Sequence, residues 1–240
     1  MTRLARRNDA EILDEGLLNG EPLDPQVLAA SLAQVEAVDR WLGGERALRR
    51  HLDRLLPTSG RCRVLDVGTG NGTLLRRVVS RLRRRGLDAS GVGIELDSSI
   101  LAVAAATAAD RPAGSAEVHL VQGDGLLLPL ADGAVDVSFA VLTAHHFDEA
   151  SARALLAEMV RVSRRGVVIS DLERSVPAWL GARLLSATVW RRNPITRHDG
   201  PLSVLRGFTR AELLALGHST GLSVEVAWHP LFRLTMLVVR

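Results

Sequence analysis

The 240-residue chain contains no lysine and no tyrosine, and its one cysteine is Cys62. A phosphate-binding P-loop needs a lysine directly after its glycines, so this class of nucleotide site is excluded. A single cysteine cannot form a disulfide within the chain, which is typical of proteins in a reducing cytoplasm, the localisation that we expect. The histidines and the cysteine show no zinc-type spacing, so we also expect no metal site.

Aromatic residues are rare, at 3% of the chain, and the net charge is only +3. The sequence isoelectric point of about 10.5 nevertheless looks strongly basic. Because lysine and tyrosine are absent, almost nothing titrates between histidine and arginine, and a small excess of arginine raises the isoelectric point steeply. With few aromatic rings on which bases could stack, the composition favours no nucleic-acid partner. No apolar run is long enough to span a bilayer.

What the chain does contain is a glycine-rich turn between an apolar strand and a helix, in residues 63–74. Asp66 precedes three glycines at alternate positions, which are Gly68, Gly70 and Gly72. Glycines let backbone N–H groups and a helix N-terminus approach a ligand closely. Dinucleotide sites require G-x-G-x-x-G, and Thr73 stands where the third glycine would fall, which disfavours NAD. A carboxylate beside N–H donors suits a zwitterion better than a bare phosphate.

Two further predicted strands end in acids. Residues 90–95 are predicted to form a buried strand that ends at Glu95, and residues 116–122 one that is followed by Asp124. A carboxylate at Glu95 can accept hydrogen bonds from both hydroxyls of a ribose, with Leu96 covering one face of an adenine. For Glu95 alone, an ordinary solvated acid at a strand end is the simpler interpretation. However, three predicted strands with an acid at or near their end occur in order along the chain.

In this order, the motifs resemble those of class I S-adenosylmethionine-dependent methyltransferases. The D-x-G-x-G-x-G turn matches the family's first motif, residues 95–101 match its acidic second motif, and residues 128–140 match its passage into strand four. The resemblance extends over residues 61–239 and implies S-adenosylmethionine as cofactor and S-adenosylhomocysteine as product. The cofactor-binding residues that it implies are Asp66, Gly68, Thr69, Gly70, Gly72, Glu95, Leu96, Asp124, Gly125 and Ala140.

Strands alternate with helical patterns, which indicates an α/β fold with a mostly parallel sheet. The resemblance implies a Rossmann-like class I methyltransferase fold with seven strands, the last inserted antiparallel, and helices on both faces. We divide the chain into an N-terminal arm and helical cap, residues 1–57, and a methyltransferase domain, residues 58–240, with a helical insert around residues 172–208. Within these, we expect a loosely held arm over residues 1–23 and a long loop over residues 191–208.

Candidate catalytic residues follow the fourth predicted strand, in a stretch that resembles the "LHH" sequence beside the family's active site. An ordinary histidine pKa of about 6.5 suits proton abstraction, so His145 and His146 are candidates for a general base, although they can equally cap the next helix. The polar groups that can orient or cover an acceptor are Asp171, Arg174, His198 and Asp199. Two interpretations remain open for Trp41, Gly43 and Gly44. They touch the cofactor, or they form the end of a helix whose tryptophan belongs to the core.

The N-terminal helices and the helical insert resemble those of ubiquinone/menaquinone-type and polyketide-tailoring methyltransferases. We therefore expect metal-free O- or C-methylation of a small aromatic or polyketide-like acceptor, as in secondary metabolism, by a protein that can form a homodimer. Alternatives are a catalytically inactive nucleoside-binding homologue, an RNA- or protein-directed methyltransferase, and an NAD-dependent oxidoreductase. The missing Tyr-x-x-x-Lys pair argues against a short-chain dehydrogenase, and the missing N/D-P-P-Y sequence argues against methylation of DNA bases or glutamine.

Overall fold

A seven-stranded sheet forms the centre of the computed structural model, which describes residues 4–14, 23–108 and 117–240. The strands are β1 (Arg61–Val67), β2 (Asp88–Glu95), β3 (Val118–Gln122), β4 (Val135–Val141), β5 (Ser163–Leu172), β6 (Ser223–His229) and β7 (Arg233–Val239). Their order is β3-β2-β1-β4-β5-β7-β6. The pairs from β3 to β5 are parallel, and β7 is antiparallel to both β5 and β6. The predicted fold, including the reversed last strand, is confirmed.

Helices flank this sheet and begin at recognisable capping residues. They are α1 (Pro25–Trp41), α2 (Gly44–Leu55), α3 (Thr73–Arg84), α4 (Ser98–Ala108), α5 (Glu149–Val162), α6 (Val176–Ala187), α7 (Pro194–Arg206) and α8 (Arg210–His218). Helix α1 begins after Asp24, whose side chain accepts hydrogen bonds from two backbone N–H groups of the first turn. Thr209 and Glu212 form a reciprocal capping box at the start of α8.

Alternation along β1 sends apolar side chains to both faces of the sheet. Leu65 belongs to the same buried cluster as Leu156 of α5. The preceding residue, Val64, belongs to a second cluster with Leu52 of α2 and Val79 of α3. Because apolar helices cover both faces, polar groups on the central strands are concentrated at the strand ends, where a ligand can reach them.

The predicted long loop over residues 191–208 is wrong, because most of it forms α7. Asn193 caps the helix by accepting hydrogen bonds from two N–H groups of its first turn. The helical period is disguised in the sequence by Gly200 and the proline that follows it. The glycine is needed because α7 packs closely on Trp190, and a Cβ at Gly200 would lie 2.4 Å from the indole ring.

The described part of the N-terminal arm, residues 4–14, is not loose. The expectation of a loosely held arm is therefore wrong for these residues. Arg6 donates hydrogen bonds to the carbonyl oxygens of Phe147, at 2.7 Å, and Arg206, at 2.8 Å. Glu11 is only 2% exposed. The arm therefore lies across the carboxyl edge of the sheet, and charged groups hold it there instead of an apolar stripe.

Helix α2, which the predicted division assigns to the N-terminal cap, packs against β5 and β7. The division at residue 57 itself stays a prediction. Within the described ranges, no helix is both long and apolar enough to cross a membrane.

A pair of buried histidines joins α2 to the end of β6. The Nε2 atoms of His51 and His229 lie 3.2 Å apart. Burial lowers the pKa of both rings, and the neighbouring charge of His229 lowers that of His51 further. We therefore expect both rings to be neutral in the folded protein at neutral pH.

This pair makes the folded state sensitive to acid. Above pH 6.5 both rings are neutral in the folded and unfolded chain, so they contribute no pH dependence. Below about pH 6.5 the unfolded chain takes up protons that the folded pair resists, so the free energy of unfolding falls as the pH falls toward the lowered pKa values. Urea unfolding measured between pH 7.5 and 5.5 should show that the free energy of unfolding falls less steeply with pH in His229→Gln than in the parent chain. The same change at the exposed His218 should leave the slope unaltered, and equal slopes in the parent and His229→Gln would refute this account.

Candidate active site

A cleft of about 660 Å³ opens at the carboxyl ends of β1, β2 and β4. Its walls come from the glycine-rich turn, the residues after β2, β3 and β4, the N-terminal arm, α1, α6, α7 and the hairpin between β6 and β7. We call the part lined by the glycine-rich turn and the residues after β2 the polar end, and the part lined by Trp41, Leu184 and the tip of the hairpin the apolar end. Such a cleft can hold one polar ligand and one apolar ligand side by side.

The glycine-rich turn is held against β2 by its backbone. The N–H groups of Gly68 and Thr69 both donate to the carbonyl oxygen of Ile94, at 2.9 and 3.0 Å. Gly68 has a φ of +70°, and a Cβ there would lie 2.5 Å from Cγ2 of Thr143. Only glycine fits this position without displacing Thr143, so the turn approaches the end of β4 as closely as the backbone allows.

Glu95, at the end of β2, is 9% exposed and is fixed by backbone donors. Its Oε2 accepts a hydrogen bond from the N–H of Gly70 at 2.8 Å, and its Oε1 accepts one from the N–H of Leu96 at 2.9 Å. Burial raises the pKa of this carboxyl, and the backbone hydrogen bonds partly offset that rise. Oε1 also accepts a hydrogen bond from the N–H of Asp97 at 3.3 Å, so both of its acceptor sites are engaged. The acceptor capacity that remains for hydroxyl groups of a ligand lies on Oε2.

Asp66, at the end of β1, is 2% exposed. Its Oδ2 accepts a hydrogen bond from the hydroxyl of Thr69 at 2.9 Å. Burial, with a smaller contribution from the charge of Glu95, raises the pKa of Asp66 to about 8. A cationic group in the cleft would favour the ionised form of Asp66, because an opposite charge offsets the cost of burial.

Most of the residues predicted to bind the cofactor line this cleft. Those are Asp66, Gly68, Thr69, Gly70, Glu95, Leu96, Asp124 and Gly125. Gly72 lies behind the wall and begins α3 with a φ of +72°. Ala140 is fully buried in the core, so the wall of the cleft at β4 is formed instead by the next residues along the chain, Val141 to Thr143. The sequence reasoning also missed Asn71 and Asp97, which line the polar end.

The apolar end combines side chains from three separate segments. Trp41 and Leu184 line it and are 79% and 65% exposed, so Trp41 is not a core residue. Gly43 and Gly44 do not line it and only connect α1 to α2. The hairpin tip adds Leu231 and Phe232, whose φ angles of 64° and 62° are unusual for residues with a Cβ.

His145 and Asp171 form a buried pair at the end of β5, 3% and 1% exposed. Asp171 accepts hydrogen bonds from Nδ1 of His145 at 2.7 Å and from its backbone N–H at 3.0 Å. Burial would raise the pKa of Asp171, but the His145 ring and its hydrogen bonds hold it below its ordinary value. Because an ionised carboxylate only accepts, Nδ1 carries the hydrogen, and in the neutral ring Nε2 keeps its lone pair.

His146 is in a different electrostatic environment. Its Nδ1 lies 3.0 Å from Oδ1 of Asp14. Burial works against the charged ring, but the hydrogen bond to Asp14 and the charge of Glu11 prevail, and the pKa of His146 is raised to about 9. The pKa of His146 is therefore higher than the ordinary value expected from the sequence, so any role that uses the lone pair of this ring requires it to release its proton first.

The other candidate acceptor-binding residues have structural roles. Arg174 donates to the carbonyl oxygen of Gly207 at 2.7 Å and to Glu212 at 2.6 Å, and it does not line the cleft. His198 does not line the cleft, and its Nδ1 lies 2.7 Å from Oδ1 of Asp199. Asp199 does line the cleft and accepts hydrogen bonds from two backbone N–H groups of the arm.

The sequence reasoning missed the contribution of the arm to this site. Glu11 places one carboxylate oxygen 3.8 Å from Nε2 of His145 and the other 3.9 Å from Nδ1 of His146. Arg206 donates to Asp14 at 2.6 Å and to the carbonyl oxygen of His145 at 3.2 Å. No local motif marks Glu11, because the polar arm is separated from both histidines by more than a hundred residues.

Comparison with known proteins identifies the central part of the chain. Residues 64–166 match a family described as a methyltransferase domain. A curated relative, demethylmenaquinone methyltransferase from Parafrankia sp. (strain EAN1pec), is 33% identical over 157 residues. That alignment covers 59% of this chain and 58% of the relative, so the chain spans little more than half the length of the curated relative that it matches.

Solved structures share the fold at low sequence identity. A methyltransferase from Aquifex aeolicus described as SAM-dependent superposes with a TM-score of 0.62 at 17% identity, covering 91% of this chain and 99% of that one. Magnesium protoporphyrin IX methyltransferase from Synechocystis PCC 6803, solved with bound SAH, gives a TM-score of 0.54 at 16% identity, covering 97% of this chain and 89% of that one.

Proposed function

We propose that this chain, which belongs to the class I S-adenosylmethionine-dependent methyltransferases, transfers the methyl group of S-adenosylmethionine to a small apolar acceptor. The observation that carries the proposal is the cleft, whose wall combines Glu95 and the glycine-rich turn with apolar side chains and with His145. The two ends suit a polar cofactor and an apolar acceptor, respectively.

The polar end fits S-adenosylmethionine group by group. Glu95 would accept from both ribose hydroxyls, because its oxygens are already oriented by the N–H groups of Gly70 and Leu96. Leu96 and Asp124 would contact the adenine. Asp66 would face the cationic methionine portion, which supplies the opposite charge that its ionised form requires.

The apolar end favours an aromatic or polyketide-like acceptor. Trp41, Leu184 and Phe232 surround it, and these side chains stabilise a ligand chiefly by removing its apolar surface from water. The partial match to a demethylmenaquinone methyltransferase is compatible with a quinol-type ring as the acceptor. An acceptor of this kind can be methylated on oxygen or on a ring carbon.

Methyl transfer is an in-line displacement. An electron pair of the acceptor forms the bond to the methyl carbon while the electrons of the carbon–sulfur bond return to sulfur, and S-adenosylhomocysteine is the product. Alignment of the two ligands can supply about 7–11 kcal/mol of the barrier reduction. We assign the activation of an acceptor hydroxyl to the His145 and His146 pair, with His145 as the residue that offers a lone pair.

Ligand binding separates this proposal from its alternatives. S-adenosylhomocysteine at 100 times its Kd should stabilise the folded chain by about 2.7 kcal/mol, whereas NAD should have no effect. Incubation with methyl-labelled S-adenosylmethionine and a panel of naphthols, quinols and phenols should then give a labelled product. Stabilisation by NAD alone would point to an oxidoreductase. Stabilisation by S-adenosylhomocysteine with no labelled product, even in a panel extended to RNA and protein acceptors, would favour a catalytically inactive nucleoside-binding homologue.

A further inference from the structure

Three metal-ligating side chains meet in the wall of the cleft. Glu11, His145 and His146 each offer one ligand atom, and these three atoms lie within 4.8 Å of one another. The separation between Glu11 and Nε2 of His145 is 3.8 Å. Ligands about 2.1 Å from a tetrahedral zinc ion stand roughly 3.4 Å apart, so a small side-chain adjustment would complete the geometry.

The charge balance of this cluster favours a cation. Glu11 is 2% exposed, and the hydrogen bond from the hydroxyl of Ser203, at 2.9 Å, does not neutralise it. Asp14 and Asp171 add two further carboxylates nearby, while the guanidinium of Arg206 is held by Asp14 and by backbone carbonyls. A buried carboxylate requires a compensating charge. A metal ion between Glu11 and the two rings would supply it in place of the proton on His146, which metal binding would release.

The outer contacts of His145 match those of a metal ligand. Metal-bound histidines usually donate their second ring N–H to a carboxylate, which fixes the tautomer and the ring orientation. Asp171 does this for Nδ1 of His145 at 2.7 Å and also accepts from its backbone N–H. The lone pair of Nε2 is thereby directed toward Glu11.

We propose that Glu11, His145 and His146 bind one borderline divalent cation of the zinc class and leave an open position toward the cleft. Two histidines and one carboxylate form a ligand set that suits such ions. His145 then acts as a ligand and not as a proton acceptor. The role of the cation toward the acceptor rests on the proposed function: held by Glu11, His145 and His146, it would supply Lewis acidity that favours loss of the proton of an acceptor hydroxyl to water. Ion binding itself does not depend on that function.

Metal loading of the full chain tests the site directly. After treatment with a chelator, the protein is equilibrated with Zn²⁺ or Co²⁺ and the bound metal is counted by mass spectrometry, with visible absorption reporting on Co²⁺. We expect about one ion per chain and no displacement by excess Mg²⁺. Glu11→Gln and His146→Asn should each weaken binding by at least tenfold, with circular dichroism confirming that the variants are folded.

A matched control uses the exposed pair of Glu117 and His119, which lie 3.6 Å apart. His119→Asn should leave the loading unchanged. Substoichiometric loading of the parent, or equal loading in the parent, Glu11→Gln and His146→Asn, would overturn the metal site. The S-adenosylhomocysteine measurement is independent of metal loading. A chain that binds S-adenosylhomocysteine but takes up no metal would refute this inference and leave the proposed function intact.

Discussion

Glu95→Ala should lower the affinity for S-adenosylhomocysteine by about 100-fold. Two hydrogen bonds from ribose hydroxyls to a carboxylate contribute together about 3 kcal/mol, which corresponds to that factor. The variant also leaves the N–H groups of Gly70 and Leu96 without their acceptor, so the polar end of the cleft loses its fixed shape. Isothermal titration calorimetry measures the loss, and urea unfolding shows whether the fold survives.

The controls separate charge from shape. Glu95→Gln retains the size of the side chain and one acceptor oxygen, and it should lose about tenfold because a neutral acceptor forms weaker hydrogen bonds. Glu117→Gln, at an exposed acid beside β3, should bind as the parent does. If Glu95→Ala binds S-adenosylhomocysteine with unchanged affinity, the nucleoside does not lie at the end of β2 and the proposed cofactor position is wrong.

His145→Ala should lower turnover by about 100-fold or more while cofactor affinity changes little. A loss in turnover of this size is expected when an acceptor hydroxyl loses its general acid–base catalyst. Loss of a bound cation that activates the same hydroxyl would lower turnover in the same way. The hydrogen bonds that His145 forms in the described part of the chain join it to Asp171 and Arg206, and not to Glu95 or the glycine-rich turn. Binding and turnover should therefore separate. The measurement is the rate of labelled product formation with an acceptor identified in the panel, alongside titration with S-adenosylhomocysteine.

Asp171→Asn provides the supporting variant for this prediction. An asparagine can still accept from Nδ1 of His145, but without the negative charge, so turnover should fall less than in His145→Ala. His218→Gln, remote from the cleft, is the matched control and should be fully active. Full activity in His145→Ala would show that the acceptor needs no activation by this residue, as for methylation of an already ionised group.

The strand ends were predictable because their signals are local. A β-branched run, a glycine turn and a helix start occupy a dozen consecutive residues at β1, and the parallel sheet then brings Asp66, Glu95 and Asp124 to one edge. The local sequence does not reveal which residue at the end of a strand reaches the surface of the cleft. The pattern therefore predicts a cofactor contact at Ala140, which is fully buried, whereas the cleft is lined from the next residue, Val141, onward.

The parts that sequence reasoning missed depend on contacts between distant segments. Helix α7 lacks a clear apolar period because Gly200 is required by the ring of Trp190. Glu11 and Asp14 have no apolar periodicity around them, and only the folded chain brings them to His145 and His146. The raised pKa of His146 follows from those same carboxylates, so the wrong prediction for the arm led directly to the wrong protonation state.

The hairpin between β6 and β7 has a consequence for how relatives of this chain can diverge. Its strands are held in register, with Arg233 paired to both His229 and Leu172, so the tip can vary without shifting the sheet. Leu231 and Phe232 adopt left-handed backbone conformations that cost roughly 1–2 kcal/mol per residue and that glycine would adopt freely. Two bulky side chains in a strained turn indicate that their shape matters more than the stability of the turn. If the proposed acceptor binds here, we expect exchange of these two residues to change which acceptor the cleft takes.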